Sequence, residues 1–338
     1  MNNISKPIYQ EIDVIGIGNA IVDILVFEKD SWLKKNSLNK GNMSLINEEE
    51  AEKLYSQIIP NLETSGGSAA NTLAGIAQLG GKAAFIGRVR DDKLGEIFTN
   101  DIRSSGSIFQ TPPTLSGPST ARCLILVTPD AQRTMCTYLG ASTFLEPNDL
   151  DLSLIEKSKI LYLEGYLFDS PDAKKAFIKA SEICKNSGGE VALSLSDSFC
   201  VNRHRESFLN LVENYVDILF SNESEIKSLY ETSTLESAVD QIKGRCKVAV
   251  ITCGEDGSII LTKNEQINIP ANNLGEVIDT TGAGDLYASG FLFGYLNNKD
   301  LATCGSIGSI CAGQIITQLG SRCECSLIDI VRENVKSL

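Results

Sequence analysis

Residues 278–285, "IDTTGAGD", lead straight into "LYASGFLFGYL", so two glycines and a carboxylate stand at the start of a helix that is apolar on nearly every side. Glycine weakens a helix and a carboxylate is costly to bury, so local stability does not account for the choice. Chemistry offers a reason. The first turn of a helix leaves N–H groups without intrahelical partners, and the pattern predicts that those of Ala283, Gly284 and Asp285 face one spot at the positive end of the helix dipole. Glycine lets a phosphoryl group approach that backbone without meeting a Cβ. Asp285 beside such an anion hole can take the proton of a hydroxyl that attacks phosphorus; the plainer alternative is an acidic residue placed where the dipole favours it.

Other clusters have the same character. In "GGSAANT" (66–72), Gly66 and Gly67 allow close backbone approach and Asn71 offers both donor and acceptor to a polyhydroxylated ligand, unless the stretch is only a capped turn. Asn19 and Asp23 follow a strand end four residues apart, a spacing that suits two vicinal hydroxyls or, equally, a stabilised loop. Glu164 in "YLEGYLF" is either a hydroxyl contact or a locally paired strand-end carboxylate. Asn222 and Glu225 in "SNESEI" have capping-box spacing, and the same oxygens suit hydrated Mg²⁺ beside phosphates.

Several alternatives are excluded. "GIGNAI" (16–21) lacks the third glycine of a dinucleotide fold, and the chain has neither a Walker-type Gly-x-x-x-x-Gly-Lys loop nor protein-kinase elements. A net charge of -13 argues against nucleic acid or an anionic membrane as partner. The single histidine, His204, lies in polar "VNRHRESF" and reads as solvated, which removes His-dependent hydrolysis. Ten scattered cysteines without Cys-x-x-Cys read as reduced thiols of a cytoplasmic protein, with Cys323-x-Cys325 structural. The first residues lack a signal-peptide pattern, and no apolar run reaches the ~18 residues of a membrane span.

These residues need a scaffold. A strand from residue 13, a helix in 66–81, strand "AAFIGRV", helix "DKLGEIFTNDIRSSG", strand 160–166, helix 171–186, strand 191–196, helix 205–214, strand 216–221 and helices 223–230 and 235–243 alternate. Strands "VAVITC" and "GSIILT" and helices 283–297 and 300–318 complete the pattern before a short tail. This is an α/β chain with a mostly parallel sheet covered on both faces. Segments 23–46 and 112–140 break the rhythm with β-rich runs, the second turning at Thr128-Pro129-Asp130-Ala131, and predict a small β-sheet lid.

Together, "GGSAANTLAGIAQLGGKAAFIGRVRDDKLGEIF", "SNESE" and "DTTGAGDLYASGFLFGYL" resemble the signatures of the ribokinase-like carbohydrate and nucleoside kinases, the phosphofructokinase B family, over nearly the whole chain. The resemblance implies one three-layer α/β/α sandwich domain over residues 1–338 with a small lid, and ATP and Mg²⁺ as cofactors. It implies Asp285 as catalytic base, with the amides of Gly282, Ala283 and Gly284 as anion hole. Asn222 and Glu225 would act on Mg²⁺ through water, and Thr252, Gly254 and Gly257 of "TCGEDG" along the nucleotide. Asn19, Asp23, Gly66, Gly67 and Asn71 match the substrate pocket, and Asp279 and Thr281 a monovalent-cation (K⁺) site. Arg90 departs from the family, which often has glycine there.

Asn19-x-x-x-Asp23 resembles the spacing of adenosine kinases, making adenosine the first-choice acceptor, with fructose, ribose or a related sugar as the alternative. A silent nucleotide-binding relative is the rival of another class, and the intact base position argues against it. A monomer and a lid-mediated homodimer are both compatible with the chain.

Overall fold

The structure, a computed structural model, describes residues 11–130 and 132–335, so the extreme N-terminus and Ala131 of the expected turn lie outside the described residues. β1 (Ile12–Ile17) is apolar but for Asp13, and three residues later the chain enters β2 (Ile21–Phe27), where Val22, Ile24 and Val26 are buried in alternation with Ile21, Asp23 and Leu25. α1 (Asp30–Lys35), β3 (Met43–Leu45) and α2 (Glu48–Tyr55) follow, the last started by a reciprocal capping box between Asn47 and Glu50. β4 (Leu62–Gly66) runs directly into α3 (Ser68–Gln78), then β5 (Ala83–Ile86), α4 (Lys93–Ser104), β6 (Ile108–Phe109) and the pair β7 (Ala121–Val127) and β8 (Arg133–Tyr138).

Regular alternation returns with α5 (Leu152–Glu156), β9 (Ser158–Glu164), α6 (Pro171–Asn186), β10 (Glu190–Ser194), α7 (Ser198–Asn214) and β11 (Ile218–Asn222). Ser170 caps α6 with Pro171 behind it, which is why that helix starts where the sequence places it. α8 (Glu223–Tyr230), α9 (Leu235–Ile242), β12 (Val248–Thr252), β13 (Ser258–Leu261), β14 (Gln266–Ile269), α10 (Ala283–Leu296), α11 (Leu301–Ile315) and α12 (Leu327–Asn334) complete the chain.

The large sheet has the order β14-β13-β12-β11-β10-β9-β1-β5-β6 and is parallel from β12 to β6. The turn 254–256 is too short for a crossover helix, so β13 doubles back antiparallel on β12 and β14 on β13. α5 to α9 cover one face, with Phe177, Phe208, Ile226 and Val239 packed on Leu161, Leu193 and Leu219. On the other, Leu73 of α3 and Phe291 of α10 meet Val14, Tyr162, Phe220 and Val250. The α/β/α expectation and the small sheet are both observed.

The smaller sheet has the order β3-β8-β7-β2-β4. It contains the two expected segments and adds β4, which the sequence reading left out because "LETSG" carries no apolar run. β2 pairs with β4 from Ile21↔Gly66 and with β7 from Ile21↔Ala121, so chain connections to the large sheet gather at one end. Two further expectations change. The tail contains α12, and α7 begins at Ser198 but is kinked at His204, whose φ of -127° and ψ of 25° are not helical. His204 is half-buried rather than solvated, with Nε2 2.7 Å from Asp169 Oδ1 and Nδ1 3.1 Å from Lys174 Nζ.

Helices α10 and α11 pack closely enough that a Cβ on Gly290 would lie 2.7 Å from the Ile307 carbonyl oxygen. Gly290→Val should therefore lower stability by about 1–3 kcal/mol through overpacking, read as a fall in denaturant midpoint at unchanged slope.

Candidate active site

The parallel sheet changes direction between β1 and β9: the chain moves from β1 through β5 to β6 on one side and from β9 to β12 on the other. In such sheets the crevice beyond the carboxyl ends of the strands, at that reversal, binds ligands. Asn19 follows β1 and Glu164 ends β9, and the two meet there. Glu164 Oε1 accepts from Asn19 N at 3.2 Å and from Asn19 Nδ2 at 2.8 Å, while Oε2 accepts from Ala69 N at 2.8 Å. Both oxygens of Glu164 thus accept from the protein, the paired arrangement that the sequence offers beside a hydroxyl contact, with partners distant in the chain. Asn19 Oδ1, by contrast, is buried without a partner.

Gly66 and Gly67 close the same wall. A Cβ on Gly66 would fall 2.3 Å from the Asp23 carboxyl carbon, and Gly67, at φ 97°, would place one 2.3 Å from the Asn19 carbonyl oxygen. Side chains are excluded there by contact and, at Gly67, by conformation.

Asp285 sits at the start of α10, half-buried, facing α3. Ser68 Oγ donates to its Oδ1 at 2.6 Å and Asn71 Nδ2 to its Oδ2 at 2.9 Å. Burial raises its pKa above the ordinary carboxylate value, and those two donors together with the Arg322 guanidinium oppose the rise. Its charge is also felt by Asp23, Glu164 and Glu225, each of which burial pushes up to about 7. Four acidic side chains from separate stretches therefore lie within electrostatic reach of one another.

Of the amides expected to form an anion hole, one is engaged within the protein. Gly282 adopts φ 79° and starts the helix, but the Ala283 amide donates to Thr280 O at 3.2 Å and is not free. Among the described residues, the amides of Gly282, Gly284 and Asp285 have no acceptor in the protein, and a Cβ on Gly284 would meet only open space.

Asn222 and Glu225 form the reciprocal cap of α8: Asn222 Oδ1 accepts from Glu225 N at 2.9 Å, and Glu225 accepts from Asn222 N at 3.0 Å and Nδ2 at 2.6 Å. Thr252 ends β12 beside them, and Gly254 and Gly257, at φ 59° and 91°, make the turn that follows. Asp279 Oδ1 accepts from Thr281 N at 3.0 Å and Oγ1 at 2.8 Å.

Sequence reasoning missed two arginines. Arg322 donates to Ser65 O and Ala70 O at 2.8 Å each, bracing the β4–α3 turn from the loop after α11. Arg133, the first residue of β8, reaches from the smaller sheet to an ion pair with Asp279 and a 3.2 Å bond to Thr281 Oγ1. A lone arginine beside a turn gives no signal of a partner some 150 residues away. Only the fold does.

Residues 45–326 match the family described as pfkB family carbohydrate kinase. The chain belongs to the PfkB family. Its relatives are similar throughout: the structure of an adenosine kinase from Sinorhizobium meliloti is 48% identical with a TM-score of 0.88, covering 96% of this chain and 100% of that one. A probable sugar kinase from Rhizobium etli CFN 42 is 47% identical with a TM-score of 0.89, covering 96% and 99%. The adenosine kinase of Saccharomyces cerevisiae is 26% identical over 91% of this chain and 95% of its own. This PfkB protein is accordingly a nucleoside or sugar kinase, a phosphotransferase with an alcohol acceptor, for which the family implies ATP and Mg²⁺. No helix among its described residues is long and apolar enough to cross a membrane.

Asp23 gives the PfkB cleft a pH signature. Its folded-state pKa of about 7 lies above the ordinary 3.8 because burial disfavours the anion. The folded protein thus holds a proton that the unfolded chain releases, and Asp23 costs stability increasingly as pH rises across that window. In ligand-free melts, Asp23→Asn should gain on wild type from about pH 4 to 7 and hold a constant lead above.

Proposed function

We propose that this kinase transfers the γ-phosphoryl group of ATP to a primary hydroxyl of a nucleoside, with adenosine as first choice and Asp285 as base. The observation that carries the reading is a carboxylate kept available by Ser68 and Asn71 beside unpaired helix amides. Such a group accepts the hydroxyl proton as the hydroxyl attacks, while the Gly282 and Gly284 amides receive charge on the phosphoryl oxygens.

Asn19 and Asp23 are read as holding the sugar hydroxyls in the wall shaped by Gly66, Gly67 and Asn71. Nucleoside is preferred over a bare sugar because Asp23 shares its face of the smaller sheet with Ile21, Leu25, Cys123, Ile125 and Met135, an apolar strip suited to a base. Fructose, ribose or a related sugar is the second reading, favoured by the likeness to the Rhizobium protein.

Mg-ATP supplies the phosphoryl group and the neutralising divalent charge. Among the described residues no three His, Cys, Asp or Glu side chains are grouped to hold a metal, and direct ligation by Glu225 would break its cap. Asn222 and Glu225 therefore fit Mg²⁺ through water on nucleotide phosphates, with Thr252, Gly254 and Gly257 beside the nucleotide. The smaller sheet is read as a lid that excludes water on closing. Its edge strands expose Met43, Leu45 and Leu62, the surface a lid-mediated homodimer would use, and light scattering separates that from a monomer. Ten free thiols support a cytoplasmic, reducing setting.

ADP formation from Mg-ATP against adenosine, other nucleosides, ribose and fructose tests the reading. Adenosine should give the highest kcat/KM, and Asp285→Asn should lower kcat about 10²–10⁴-fold with acceptor affinity by calorimetry little changed. Turnover on a sugar alone would select the second reading, and no turnover with intact ATP binding would favour a silent relative. Wild-type kcat/KM should fall with decreasing pH from a higher value than an ordinary aspartate would set, since protonated Asp285 is no base.

A further inference from the structure

We propose that Arg133 is a built-in monovalent cation: a guanidinium carried by the lid that takes the place a K⁺ ion would occupy at Asp279 and Thr281. The inference rests on the phosphotransferase site and on the lid reading.

Asp279 stands three residues before Gly282, where the anion hole begins, and its carboxylate is 4% exposed. A charge so nearly dry needs a counter-charge in contact. Its oxygens are already committed: Oδ1 to Thr281 N and Oγ1, and Oδ2 to Gly320 N at 2.8 Å and to the Arg133 ion pair. Arg133 Nη1 also donates to Thr281 Oγ1 at 3.2 Å, and its side chain is 12% exposed. The side-chain oxygens that would form a K⁺ shell are thus the acceptors of one guanidinium, which brings the same unit charge with no ion to dehydrate. The residues present do not fit K⁺ while Arg133 is in place.

The arginine is aimed. Arg133 pairs with Val127 at the end of the β7–β8 ladder opposite the connections to the large sheet. The neighbouring turn is tied down by Lys40, whose Nζ lies 2.7 Å from both Asp130 and Asp30. Met135 N donates to Asn42 O at 2.9 Å and Gly41 N to Thr134 Oγ1 at 3.0 Å, fixing the start of β8 against the same segment. Asp279 and Thr281 belong to the large domain, so the cation arrives only when the lid is down. Closure and completion of the anion-hole electrostatics become one event, independent of the salt outside.

The test compares wild type, Arg133→Met and Arg133→Lys, each full-length, in choline, Na⁺ and K⁺ buffers. The readouts are turnover, melting temperature and thallium NMR as a probe of K⁺ binding in the absence of acceptor. Wild-type turnover should change by less than about twofold on replacing choline with K⁺, with no saturable thallium binding. Arg133→Met should lose about tenfold or more in choline, regain most of it in K⁺, and acquire thallium binding that Asp279→Asn abolishes. Arg133→Lys should remain indifferent to K⁺.

Severalfold activation of wild type by K⁺ with Asp279-dependent thallium binding would overturn the proposal, as would an Arg133→Met protein that neither binds thallium nor recovers in K⁺. If Arg133→Met does not fold, the wild-type arms still decide. Because thallium binding needs no acceptor, an error in the nucleoside assignment leaves this result readable.

Discussion

A carboxylate that must be a base cannot be fully wet, or it is slow to meet its partner, and cannot be fully dry, or it keeps its proton. In the role proposed for it, Asp285 is held between these limits by its neighbours. Ser68 and Asn71 each bring a donor from α3, and Ser321 in turn donates to Asn71 Oδ1 at 3.1 Å, setting the orientation of the amide. Arg322 adds positive charge while bracing the turn from which α3 starts. The packing of α3 against α10 is thus more than a core contact: it sets the distance at which two hydrogen bonds form.

The same economy appears at the sheet reversal. Glu164, at the end of β9, gathers the backbone after β1 and the first turn of α3 around one carboxylate. The neighbouring stretches, bearing Asn19, Asp23, Gly66 and Gly67, are consequently fixed relative to each other even though they belong to different strands. Pocket geometry is a property of the clamp and not of any single loop.

Much of this was legible in the sequence because it is local. α6 and α8 begin where Ser170-Pro171 and the Asn222/Glu225 pair cap them, and α10 begins at its glycines. What escaped is what depends on distant pairing. β4 is an edge strand held by β2, so its residues need little hydrophobicity of their own. The Ala283 amide reads as free because the turn that bonds it to Thr280 O leaves no mark in composition. Arg133 and Arg322 give no local signal of their partners, and His204 reads as solvated although it lies beside Asp169 and Lys174, since such pairs are made by topology.

Four strand ends of the smaller sheet, at Ile21, Gly66, Ala121 and Tyr138, lie side by side where it joins the large one. On the lid reading, this row, about 14 Å wide from the spacing of neighbouring strands, is the axis about which the smaller sheet would turn. The seven residues of β7 carry the far edge roughly 20 Å from that axis. A swing of about 10° then moves the far edge by some 3–4 Å, the whole reach of an ion pair, while the hinge-side groups Asn19 and Asp23 scarcely shift. On that reading a ligand would be gripped at the hinge before the far edge came down over it.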